Sequence, residues 1–174
     1  MKFFSDIRLL VLAIWLGAAI FFVGAAQIVF RTVQPEQAGA IVRQNLTILN
    51  YAGQGVAVLL LVTSFVGAAR IRRFWLWIER FLLLLLGAAC AVGQFVIGFW
   101  MDSLLTQMGR PVSEVAADDP LRIQFNQVHQ YSEWILLTAM VAALIVFFII
   151  SNRKFTVAAP EKADVYDFST EFKA

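Results

Sequence analysis

Two side chains in this sequence are spaced to move a proton or hold a cation: His129 and Glu133, four residues apart. On a helix that spacing puts the imidazole and the carboxylate on one face, where they can meet. Burial raises a carboxyl pKa and a nearby cation lowers it, so a glutamate held between the two can exchange a proton or bind a cationic group. Arg122 and Asn126 extend the pair, giving Arg122, Asn126, His129 and Glu133 at i, i+4, i+7 and i+11. Arg43, Thr47, Asn50 and Gln54 repeat the same spacing upstream. At 100° per residue each set occupies about 60° of arc, a narrow polar stripe. The competing reading is structural: Glu133 pairs with Arg43 or His129 to join two helices, and the upstream set is an interhelical hydrogen-bond ladder. Such contacts are modest glue, about 0.6 kcal/mol each in membranes.

Other chemistries lack their residues. One histidine cannot supply an imidazole metal site or a bis-histidine haem unless protomers share it. Cys90 is alone, which excludes an internal disulfide and a paired-cysteine zinc site, and it reads as a small packing residue. Met101 and Met108 form no clustered motif for a soft ion. No phosphate loop, nucleophile elbow or catalytic carboxylate pair is visible. The expectation is a protein that is not an enzyme, with no cofactor and no metal. A net charge of +2 without a basic face argues against nucleic acid.

The elements that carry these stripes are membrane spans. Leu9–Phe30, Leu46–Ala69, Phe81–Met101 and Trp134–Ile150 contain no charged residue. At 1.5 Å per residue, roughly 20 apolar residues cross a 30 Å hydrocarbon core. The composition is 60% hydrophobic and 15% charged, with mean hydropathy +0.75. The fold expected is all-α, an integral membrane four-helix bundle with helices at about 7–31, 44–69, 75–101 and 120–150, followed by a mobile cytoplasmic tail over 151–174. Asp119-Pro120 reads as an N-cap and first helical residue, fixing the start of the last helix. Arg70–Arg73 reads as a tight basic turn. Lys2, Arg8, Arg70, Arg72, Arg73, Arg80 and four basic residues of the tail outweigh Arg31, Arg43, Arg110 and Arg122, so the positive-inside rule puts both termini in the cytoplasm. Pairs of small residues four apart, such as Gly53 and Ala57, favour close helix crossings.

In that topology both stripes start at the outer surface and descend. Gln27 and Arg31 on the first helix, and Gln94 and Asp102 on the third, sit at the same level. The expected site is an outward-facing polar pocket between the second and last helices. It would be lined by His129, Glu133, Arg43, Asn50, Gln54, Asn126, Gln94 and Gln27 and would bind or transport a small polar or cationic solute. The alternative is a non-catalytic scaffold, a homo-oligomer or a partner of another membrane protein, whose polar network only fixes packing.

Short motifs in order suggest a family. Trp15-Leu16-Gly17, Phe21-Phe22, Phe30-Arg31, Ala38-Gly39 and Gln124–Ser132, with His129 and Ser132 three apart, resemble the domain-of-unknown-function family 4149, also called transmembrane protein 205-like. The resemblance runs from about Leu9 to Ile150. It implies a four-helix protein of a bacterial inner membrane with no assigned reaction. Some relatives are associated with resistance to platinum drugs. Trp15, Gly17, Phe30, His129 and Ser132 carry over. Ala26-Gln27 departs from the pattern, standing where a proline-containing step is common, and so does Glu133-Trp134 after the serine.

Overall fold

The computed structural model describes residues 2–65 and 73–152. The basic turn expected at Arg70–Arg73 falls almost wholly outside these residues, and so does nearly all of the tail. Every regular element described is helical: α1 Lys2–Thr32, α2 Pro35–Phe65, α3 Arg73–Ala91, α4 Gly98–Met108 and α5 Pro120–Ser151. A π-helical segment, Val92–Ile97, joins α3 to α4, and a single 3₁₀ turn, Val112–Glu114, lies before α5. Four helices are long and apolar enough to cross a membrane, with α3 to α4 counting as one span over Arg73–Met108.

The helix ends follow local chemistry. The Asp119 side chain accepts from the Leu121 N–H at 2.8 Å, with Pro120 behind it, so α5 starts where the Asp-Pro signal puts it. The α4 end turns on Gly109, whose φ of 63° is left-handed and suits a residue without a β-carbon. Between α1 and α2 only Val33 and Gln34 are non-helical. The sequence reading put a longer loop there; instead Pro35, at the first position of α2, starts the helix early because its missing N–H is no loss there.

Packing closes a ring in chain order. α1 lies against α2, α2 against α3, the α3–α4 span against α5, and α5 against α1. The second and last spans therefore stand on a diagonal and, among the described residues, form no packed interface with each other. The main core runs along the bundle axis through Leu12, Trp15, Leu60, Leu83, Leu86, Ala139, Ala143 and Val146. A second cluster, Ile97, Leu104 and Val128 with Phe125 and Met101, joins α4 to the first half of α5. Below, the end bearing the α1–α2 and α4–α5 connections is called distal and the opposite end proximal.

Candidate functional site

The polar stripe of α5 forms as a stripe, but it lies towards the perimeter. His129 Nε2 and Glu133 Oε1 are 3.5 Å apart, the i, i+4 pairing expected, with side chains 44% and 69% exposed. Asn126 is exposed as well, and Arg122 turns back to donate to the Val115 carbonyl of its own connection. The reason lies one residue along: Val128 is fully buried against Ile97 and Leu104, so the apolar residues of this turn claim the core-facing side.

The α2 stripe does the opposite and descends into the interior. At its distal end Arg43 pairs with Asp102 across to α4, both partly exposed. Two turns further in, Asn50 is 5% exposed. Its amide lies against Gly93, the nitrogen 3.3 Å from where a β-carbon there would sit, so a larger residue would crowd it. Gln54 is half-buried, and its Nε2 is buried without an acceptor among the described residues. Facing Asn50 is the π segment, where the Gly98 N–H reaches back five residues to the Gly93 carbonyl and where Gln94 is half-buried. π turns in otherwise α-helical spans recur at functional sites. Trp15 completes the knot: its indole N–H donates to the Leu49 carbonyl at 3.0 Å, and Gly53 lets both Trp15 and Cys90 pack against α2.

The eight expected residues thus separate. Asn50, Gln54 and Gln94 lie on the interior side, Arg43 is tied up at the rim, and His129, Glu133, Asn126 and Gln27 are half-exposed or exposed. The second and last spans form no packed interface with each other among the described residues, and the face that α5 buries at that level is apolar. A cavity of about 480 Å³ opens elsewhere, between α1 and α2. Small residues such as Ala18, Ala25 and Ala52 hollow it out, Phe21 and Phe22 line it, and none of the eight residues does.

The most buried charges were missed altogether. Arg8 donates to Glu79 at 2.5 Å and to the Leu60 carbonyl at 3.0 Å, with side chains only 8% and 0% exposed. One guanidinium therefore ties α1 to both α2 and α3 at the proximal end. Beside it Arg80 donates to the Ser64 hydroxyl and carbonyl at 3.1 and 3.3 Å and stacks 4.0 Å over the Phe65 ring. A signal existed: Arg8 and Glu79 stand at the starts of the first and third uncharged runs, and both runs begin at the same end of an up-and-down bundle. In the sequence analysis Arg8 serves only to set the topology. No cluster of three or more metal-ligating side chains occurs among the described residues.

The family model described as a domain of unknown function, DUF4149, matches residues 10–110, more than half of the chain. The chain belongs to the DUF4149 family. The match spans α1 to α4, with Trp15, Asn50, Gly93 and the π segment inside it. It stops short of α5, so His129 and Ser132, part of the resemblance noted above, lie beyond the matched stretch of this DUF4149 member. No curated protein and no solved structure matches the chain.

Proposed function

We propose that this multi-pass membrane protein is a non-catalytic scaffold. Its interior polar groups lock the bundle, and the acidic edge of α5 binds a second membrane-embedded protein, either another copy or a different chain. The observation that carries this reading is the exposure of Glu133 on the perimeter, set beside interior ties that join helix to helix: Arg8 to α2 and α3, Trp15 to α2, Arg80 to Ser64. The bilayer in question is the bacterial inner membrane with both termini cytoplasmic, a placement that rests on the distribution of Lys and Arg and on the resemblance. The test is Glu133→Gln with His129→Gln in the full chain. The scaffold reading expects unchanged thermal unfolding in detergent and loss of whatever co-purifies or self-associates. A variant that melts early while keeping its associations counts against it.

One observation favours a second reading, a small-solute site at the centre of the bundle. The buried Nε2 of Gln54 has no acceptor among the described residues and lies one turn along α2 from the buried Asn50, which sits against Gly93 of the π turn; a hydrogen-bond acceptor lodged there would satisfy it. A thermal-shift screen of polar and cationic solutes on wild type and Gln54→Leu separates the two. A shift in wild type that Gln54→Leu abolishes supports the solute. No shift in either leaves only the scaffold.

A further inference from the structure

The outward side of α5 is polar over its distal part and apolar over its proximal part. Asn126, Gln130, Glu133, Leu137 and Leu144 are all exposed and fall within about 60° of arc, about 150° round the helix from the buried row Val128, Ala139, Ala143 and Val146. Exposed faces nearer the middle of other helices are apolar, as lipid contact requires: Phe21, Val23 and Ile28 on α1, and Val58, Leu59 and Val62 on α2, with exposed polar residues such as Gln27, Gln44 and Asn45 towards their distal ends.

Depth makes the difference significant. Ile135 lies beside Gly93, with its Cγ2 3.7 Å from the position a β-carbon there would take. Gly93 stands well inside the uncharged run Phe81–Met101. Glu133, two residues nearer the distal end, is therefore still level with that run, and Gln130 lies only about 5 Å beyond it. Amides and carboxylates at such depth almost always turn towards protein, because lipid offers them no partner. Here they turn away from their own bundle.

The chemistry selects the occupant. A side-chain amide carries both donor and acceptor, so Asn126 and Gln130 are each complementary to an identical residue. A two-fold interface about the membrane normal sets residue i against its own copy, with the two α5 helices parallel. The His129 ring lies 3.5 Å from Glu133 on the same helix, beside the carboxylate that would face its twin. Leu137 and Leu144 continue the same line towards the proximal end, as a helix–helix seam requires.

We infer that α5 is the self-association helix of this protein, pairing with α5 of a second copy through Asn126, Gln130 and Glu133. The inference rests on the partner-binding reading above and names the partner. To test it, Gln130 is replaced by photoreactive benzoylphenylalanine in the full-length chain, which is irradiated in native membranes, with Val58 replaced in the same way as the lipid-facing control. The expected product is an adduct of twice the chain mass from position 130 and not from 58. Equal dimer yields at both positions would mean random collision and overturn the inference. An adduct of any other mass at 130 overturns the second copy while sparing the partner-binding reading, and no protein adduct at 130 overturns both. With the probe moved to Leu137, Gln130→Leu with Glu133→Leu should lower dimer yield roughly tenfold, the scale of a few interhelical hydrogen bonds lost together. An unchanged yield would show that polar side chains do not hold the pair.

Discussion

At the residue scale the chain treats its polar groups in two ways. Arg8 and Glu79 are withdrawn from solvent and lipid together, which is tolerable only while both are present. Removing one partner of such a pair strands a buried charge and costs about 3–5 kcal/mol, whereas replacing both with apolar residues of similar volume is often neutral. Arg8→Leu is therefore expected to unfold far more readily than Arg8→Leu/Glu79→Leu when both are titrated with denaturing detergent. A double variant as unstable as the single would show that the pair is not acting as a unit. The glycines divide just as sharply. A β-carbon on Gly53 would sit 2.5 Å from the Cys90 sulfur and 2.9 Å from the Trp15 indole nitrogen, while one on Gly17 meets nothing within 4 Å. Gly53→Ala should lose about 1–3 kcal/mol of stability to overpacking. Gly17→Ala should gain about 0.5–1 kcal/mol from helix propensity. Thermal unfolding of the two side by side checks both signs.

At the scale of elements, the third span owes its shape to six residues. The π segment Val92–Ile97 carries the register change between α3, which faces the main core with Leu83, Leu86 and Cys90, and α4, which faces α5 with Leu104. Deleting the exposed Phe95 would convert the segment to regular α-helix and rotate α4 by about 100°. Asp102 would then swing away from Arg43, and Leu104 from Val128. Cysteines placed by Arg43→Cys and Asp102→Cys are expected to be bridged by a short bifunctional thiol cross-linker, of about Arg–Asp reach, in the otherwise intact chain and to escape bridging in the deletion variant. Cys90, 1% exposed, should stay out of the reaction. Little of this was legible in advance. A π turn needs one surplus residue relative to its neighbours, and neither hydropathy nor propensity marks which residue that is. The Asp119-Pro120 start of α5 was legible because capping is a contact between residues two positions apart.

For the whole molecule, the ring order decides what the stripes can do. A polar stripe tells which side of a helix is polar but not which neighbour that side meets. On α2 the stripe points inward because Ala57, Leu60 and Asn50 share the buried side; on α5 it is pushed outward because Val128, Ala139, Ala143 and Val146 take that side. Orientation in the bilayer is a further property of the assembled whole, and the excess of Lys and Arg at the proximal end predicts that this end is cytoplasmic. In inside-out and right-side-out vesicles, Ser113→Cys should react with a membrane-impermeant thiol reagent only from outside, and Asp6→Cys only from inside. The reverse pattern would invert the topology.

Four spans, their approximate limits and the distal crowding of polar residues follow from the sequence alone, since burial in hydrocarbon is a property that each segment's own composition satisfies. The pairing of His129 with Glu133 belongs there too, because an i, i+4 contact needs nothing beyond its own helix. Only the tertiary structure put Arg8 beside Glu79, set Asn50 on Gly93 and kept α2 apart from α5. Those contacts join residues from different helices, and close packing settles which faces meet only once all four spans compete for the same interior.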